Sequence, residues 1–187
     1  MKKKIFWVDT ECSGTSPEKN GILQISGLME IDDIVVDTIN LEIATFPDDE
    51  INDEALLING IDRATISSRM PPIEAYRKLL VFLCKYCDKF DKMDKLVLAG
   101  KNIAFDDSFL RKFWQKCGDK YYGSMFFNVR IDVQSDVAKK VADGLRLPNY
   151  KLSTLCEHFG IEIKAHDAMS DIVATRELYL LLSKKGF

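Results

Sequence analysis

"KIFWVDTE", residues 4–11, decides how the rest of this chain is read. Lys4-Ile5-Phe6-Trp7-Val8 is an apolar run of strand length that ends in Asp9 and Glu11. The side-chain period of a strand is two, so both carboxylates point to one face and can converge on one ion. A strand end carrying two solvated acids explains the same letters, because charged residues mostly lie exposed. The neighbouring segments therefore have to separate the two readings.

Working outward, Gly21 to Glu30 and Ile34 to Ile43 read as two further strands, with the loop-like "GTSPEKNG" (14–21) between the first pair. Three adjacent, antiparallel strands are expected. From Pro71 the period becomes helical, with Tyr76, Leu80, Leu83, Cys87 and Phe90 spaced by four and three and Pro72 suited to a first turn. Leu96 to Ala99 is a short apolar run before Gly100, read as a buried strand. A helix over Asp106 to Lys116 follows, with Phe105, Phe109 and Phe113 four apart, and further helices are expected near Asp132 to Val141, Lys151 to Phe159 and Ala168 to Ser183. Strands first and strand–helix alternation later predict an α/β chain with a mixed sheet flanked by helices.

The bulk numbers bound the function. A chain of 187 residues, 47% hydrophobic and 29% charged, is expected to form one domain over 1–187. Four apolar residues after Met-Lys-Lys-Lys are too few for a signal peptide or a membrane span, so no membrane association and a cytoplasmic location are expected. Five cysteines without framework spacing fit reduced thiols. A net charge of -3 argues against broad coating of nucleic acid and leaves room for local basic patches or metal ions to hold phosphates.

Two more fragments carry acids. "GKNIAFDDSF" (100–109) puts Asp106 and Asp107 where a loop becomes a helix, a place at which either is favoured for purely structural reasons by capping and by the helix dipole. "HDAMSD" (166–171) holds one of only two histidines. With Asp167 as N-cap, His166 is N′ and Asp171 is N4, positions that meet in a hydrophobic staple, so an imidazole comes beside a carboxylate. A surface histidine next to a cap is the plain alternative.

Together the fragments have one chemical logic. Four carboxylates on neighbouring element ends cannot all stay ionised in a cleft without cations, and an all-oxygen set suits Mg²⁺ or Mn²⁺. Two such ions about 4 Å apart activate a water and stabilise the leaving oxygen of a phosphodiester, and a histidine of near-neutral pKa accepts the water's proton.

These three motifs resemble those of the DnaQ-like, or DEDD, 3′-to-5′ exonucleases, which include the proofreading subunit of bacterial DNA polymerase and several ribonucleases. "DTE" (Asp9, Glu11) is similar to the first motif, "NIAFD" (102–106) to the second and "HDAMSDIVAT" (166–175) to the third, with the histidine five residues before the last aspartate that marks the DEDDh branch. "ILQIS" (22–26), "EALLINGI" (54–61) and "KLSTLCEHFGI" (151–161) resemble the intervening segments. The resemblance implies an RNase H-like fold with a five-stranded mixed sheet. It implies Asp9, Glu11, Asp106 and Asp171 as ligands of two Mg²⁺ or Mn²⁺ ions and His166 as general base. By the same resemblance Cys12, Ser13, Lys101 and Asn102 are candidate substrate contacts, with Lys101 either touching a phosphate or lying outside the site. Many relatives have histidine where Lys101 stands, and "ECSG" (11–14) replaces a common ETTG, so the backbone amides of Cys12 and Ser13 are expected to cradle the terminal nucleotide.

The implied reaction is release of nucleoside 5′-monophosphates from the 3′ end of single-stranded or frayed DNA. An exoribonuclease or oligoribonuclease on the same acids is the alternative, since the choice depends on how the pocket treats the 2′-hydroxyl. A polymerase or replication partner is implied by part of the family only, and the oligomeric state is open. Two rivals of other classes are a non-catalytic nucleic-acid-binding or polymerase-docking module and a zinc protein built on Cys84-x-x-Cys87 with Cys156 and His158. Intact acids argue against the first; a mid-helix position for the cysteine pair argues against the second. "PDDEINDE" (47–54) lacks the glycine and distal glutamate of a calcium loop and reads as a turn with a helix start. Phe105, Phe109, Phe113 and Trp114 read as core before stacking platform. Lys139, Lys140, Arg146 and Lys151 are an expected basic rim or ordinary surface charge.

Overall fold

The computed structural model describes residues 2–163 and 168–183. Three strands open the chain: β1 (Lys4–Cys12), β2 (Ile22–Ile31) and β3 (Ile34–Glu42). They pair antiparallel in succession, with Asp9 opposite Ser26 and Glu11 opposite Gln24. Two short helices, α1 (Asp53–Asn59) and α2 (Arg63–Ile66), precede α3 (Pro72–Cys84). The second half alternates β4 (Leu96–Gly100), α4 (Ile103–Lys116), β5 (Phe126–Asp132), α5 (Val133–Ala142), α6 (Leu152–Phe159) and α7 (Ala168–Ser183). The five strands form one mixed sheet in the order β3-β2-β1-β4-β5, with β4 parallel to both neighbours.

Alternation along β1 builds two cores. Phe6 and Val8 face one side with Leu79 and Leu83 of α3 and Phe109 and Phe113 of α4. Ile5 and Trp7 face the other with Val137 of α5, Leu155 of α6 and Ile172 and Leu178 of α7. Trp7 is fully buried, and Asp9 and Glu11 continue its face toward the end of the strand. The aromatics near the second motif are core: Phe109, Phe113 and Trp114 are buried.

Two expectations need correction. The helix from Pro72 stops at Cys84 instead of running to Phe90, so the cysteine pair is not in mid-helix: Cys84 is the exposed last residue and Cys87 is buried beyond it. Asp88 and Asp91 accept from the amides of Phe90 and Met93, turns that compete with helix, and Phe90 is left exposed. Helix α4 begins at Ile103, three residues before the expected start at Asp106, which puts Asp106 inside its first turn. β5 was not legible from its residues because Asn128 to Arg130 lie exposed and give no clear alternation. Among the described residues no helix is long and apolar enough to cross a membrane.

Candidate active site

Three chain segments place the acids. Asp9 and Glu11 stand at the end of β1, in the centre of the sheet. Asp106 enters from the first turn of α4, where the helix N-terminus favours a negative charge. Asp171 sits in the first turn of α7.

The β4-to-α4 turn explains how Asp106 reaches β1. A side chain at Gly100 would come within 2.8 Å of the Val8 carbonyl oxygen, so only glycine lets the end of β4 approach β1 this closely. Asn102 then adopts a left-handed conformation (φ 59°, ψ 40°), and its amide donates to Asp132 Oδ1 at 2.9 Å. The same oxygen accepts from the Gln134 amide at 3.0 Å as the cap of α5. The carboxylate of Asp106 is in turn held by Thr10, whose amide and hydroxyl donate to Oδ1 at 2.9 and 2.7 Å. Asp107, the other acid of the pair, turns away into the fold and accepts from Tyr122 Oη, Arg111 and Arg130. The sequence left either aspartate open to a structural role; the structure gives it to Asp107.

The ionisation of the acids reports their proximity. Burial raises the pKa of Asp9 and the charge of Asp171 raises it further, against a smaller opposing effect of Lys101. Glu11 is pushed up to about 7 by burial, then by Asp9 and Asp171. Burial and Asp9 raise Asp106, while its hydrogen bonds from Thr10 oppose the rise. Carboxyls from β1, α4 and α7 thus share one field, each resisting the charge of the next. Among the described residues no three His, Cys, Asp or Glu side chains already stand in ligand geometry. The donor set is nonetheless all carboxylate oxygen, which fits a hard divalent cation and not zinc on thiolate or imidazole. Cys156 is buried and His158 exposed on the same short helix, so they face apart.

A cleft of about 380 Å³ opens beside the acids, lined by Glu11 and Asp171 together with Gln24, Ile58, Asn59 and Arg69. The loop after β1 shapes its wall. Ser13 spends its amide on the Gly21 carbonyl (2.9 Å) and its hydroxyl on the Glu50 carbonyl (2.7 Å), so neither points freely at a ligand. Cys12 is buried, with its thiol pKa well above the ordinary value through burial, and its carbonyl accepts from Asn59 Nδ2 at 2.9 Å. Lys101 is half-buried, its pKa lowered by burial against the charges of Asp132 and Asp9. In the expected basic rim, Lys139 pairs with Asp136 and Arg146 donates to the Val141 and Leu145 carbonyls. His166 and Asp167, the proposed base and cap of the third motif, lie outside the described residues.

Thr10, Asp132 and Arg69 were not singled out from the sequence. Thr10 sits between the two acids of the first motif, and its place there was the available signal. Nothing local marks Arg69, which reaches the cleft from beyond α2 and is anchored on the Leu23 carbonyl at 3.0 Å.

A mixed five-stranded sheet with acids gathered at the ends of its central strand and two helices defines an RNase H-like α/β nuclease scaffold. The exonuclease family model (RNase_T) matches residues 6–179, and the chain belongs to that family. No curated relative matches the sequence itself. Among solved structures, E. coli exonuclease I in complex with a dT13 oligonucleotide superposes with a TM-score of 0.79 at 21% identity, covering 98% of this chain and 41% of that one. A moderately thermophilic exonuclease I from Methylocaldum szegediense gives 0.77 at 22% identity, with 98% and 41% covered. Exonuclease I bound to the inhibitor BCBP gives 0.82 at 19% identity, with 100% and 42% covered. The chain spans about two fifths of the length of these structural relatives.

Proposed function

We propose that the protein is a metal-dependent 3′-to-5′ exonuclease that releases nucleoside 5′-monophosphates from single-stranded or frayed DNA. The observation that carries this reading is the convergence of acids from three segments, with Asp106 held against β1 by Thr10 and with Glu11 and Asp171 lining one cleft. A pure nucleic-acid-binding module gains nothing from gathering acids where a phosphate has to lie. They would hold two Mg²⁺ or Mn²⁺ ions, which when bound supply Lewis-acid polarisation of the phosphodiester and an acidified water. Family membership supports the reaction class. The oligonucleotide in the E. coli exonuclease I structure supports DNA over RNA.

In this reading the chain's own groups divide the remaining work. Thr10 fixes the rotamer of Asp106 and keeps one of its oxygens occupied. The cleft between α1 and the start of α7 takes the 3′-terminal nucleotide, with exposed Ile58 offering apolar surface to a base and Arg69 a positive charge. Lys101 and Asn102 border the acids from the β4-to-α4 turn and meet the scissile phosphate or its neighbour. Cys12 and Ser13 act by shaping the loop. His166, just before α7, accepts the proton of the attacking water.

The test is a time course on 5′-labelled single-stranded DNA and RNA of one sequence, with Mg²⁺, Mn²⁺ or chelator, beside Asp171→Ala. A metal-dependent ladder shortening from the 3′ end, faster on DNA and absent in the variant, is expected. No cleavage of either polymer by folded protein, or equal cleavage by Asp171→Ala, overturns the proposal.

A further inference from the structure

One fully buried carboxylate takes no part in the chemistry above. Glu30, near the end of β2, is 1% exposed. Its Oε2 accepts from the indole Nε1 of Trp7 at 3.1 Å and from Arg176 Nε at 2.5 Å. Among the described residues its Oε1 has no hydrogen bond, and it stands 3.8 Å from Lys3 Nζ. Arg176 reaches on with Nη2 to the Asp33 carbonyl at 2.8 Å, and the Trp7 ring lies 5.3 Å from that of Tyr179.

This knot joins two of the three segments that carry the acids, β1 and α7. Trp7 lies on β1 two residues before Asp9 and on the same face. Arg176 lies on α7 five residues beyond Asp171, which is about 7.5 Å along the helix axis. Most of what else holds α7 to the sheet is apolar: Ile172, Ala174, Leu178 and Leu182 are its buried aliphatic residues. Such contacts are non-directional, and a stripe of aliphatics packs comparably after a small slide or roll. A carboxylate shared by an indole and a guanidinium is directional. Stability alone is a poor reason for it, because a buried ion pair replaced by apolar groups often leaves a protein equally or more stable, while setting register is the best-attested use of such a pair.

We propose that Glu30 and Arg176 are positioning residues: by meeting with Trp7 at one carboxylate oxygen they fix the axial and rotational setting of α7 on β1, and so hold Asp171 opposite Asp9 and Glu11. The inference rests on the reading of those acids as the metal-holding set. Asp106 is supplied by α4, which the short turn after Gly100 ties to β4, whereas Asp171 is supplied by α7, which lies across the sheet face with Ile172, Ala174, Leu178 and Leu182 buried. An error of about 1 Å there is enough to cost about 10²-fold in rate.

The test compares wild type with Arg176→Met, Arg176→Lys and Glu30→Gln by thermal unfolding, by direct titration with Mn²⁺ followed by electron paramagnetic resonance, and by kcat and KM on a single-stranded oligonucleotide. Arg176→Met leaves Glu30 buried with Lys3 as its nearest described cation, so it is expected to melt below the wild-type temperature while still unfolding cooperatively, and the comparison is made on folded protein well below that temperature. It should bind Mn²⁺ about 10-fold more weakly and turn over about 10- to 100-fold more slowly, with KM little changed. Arg176→Lys, which keeps a charge within reach of Glu30, should recover part of both losses. Unchanged Mn²⁺ binding, or activity lost only in proportion to unfolded protein, overturns the inference. If Arg176→Met does not fold, Glu30→Gln, which keeps an acceptor for Trp7 and Arg176, carries the same expectation in weaker form. Wild-type protein that binds Mn²⁺ through Asp171 yet cleaves no polymer overturns the proposed reaction, and the Mn²⁺ titrations still decide the positioning role. Wild-type protein that binds no Mn²⁺ overturns both.

Discussion

Thr10 binds Asp106 twice, with its amide at 2.9 Å and its hydroxyl at 2.7 Å meeting the same carboxylate oxygen. The residue between the two acids of β1 thereby orients the acid supplied by α4. Thr10→Val keeps the β-branched shape and the amide bond but removes the hydroxyl. It is expected to leave the fold cooperative, raise the pKa of Asp106 and lower kcat by about 10-fold, the size of one lost hydrogen bond to a charged group. Steady-state kinetics at saturating Mn²⁺ check this, and an unchanged kcat removes Thr10 from the site.

Neighbouring aspartates should behave oppositely. Asp106→Asn removes a carboxylate that burial and Asp9 already strain toward the neutral form, so turnover should vanish with no loss of thermal stability. Asp107→Asn removes the charge that Arg111 and Arg130 meet at Oδ2 and keeps only one acceptor oxygen, so either buried Tyr122 or the two arginines lose their acceptor. A loss of about 1–3 kcal/mol is expected, read from denaturant unfolding, with the activity of the remaining folded protein largely kept.

That contrast marks how far the residues themselves could be read. Strands β1 to β3 were legible because alternation ran through them, and α7 because a capping pattern opens it. Asp9 and Glu11 were legible as a pair because a strand's period of two forces them to one face. Whether Asp106 or Asp107 joined them was not, since adjacent helix residues point about 100° apart and only the positions of Thr10, Tyr122 and Arg130 decide which way each turns. β5 is an exposed edge with no clean period, and its existence came from family resemblance. Arg69 and Glu30 act at the end of long-range contacts that no local pattern announces.

Asn102 combines a left-handed backbone, in which most L-residues are strained, with a side chain that makes no capping bond to its helix. Asparagine tolerates that backbone and glycine fits it at least as well, so replacing one by the other tests the side chain without disturbing the turn. Asn102→Gly is therefore expected to match or exceed the wild-type melting temperature while raising KM for the oligonucleotide. A variant with unaltered KM and kcat shows that the side chain touches no substrate.

The acid cluster also sets a pH dependence of stability for protein kept free of divalent metal. In the unfolded chain these carboxyls titrate near pH 4. In the folded protein burial moves Glu11 up to about 7 and shifts Asp9 and Asp106 in the same direction. Between those values the folded state binds more protons than the unfolded one, so stability from these groups is fully present below about pH 4 and is lost as pH rises toward about 7. The exposed carboxylates of Asp33, Asp37 and Asp94 are shifted downward by their lysine or tyrosine partners, and their opposite contribution falls below this window. In chelator, the melting temperature of wild type should thus decline from pH 5 to pH 8, and Glu11→Gln should flatten that decline. Mn²⁺ added at pH 8 should restore the loss in wild type, because a cation among the carboxylates favours their charged form. A melting temperature independent of pH over this range, or a decline that Glu11→Gln leaves untouched, would show that the acids do not repel one another in solution.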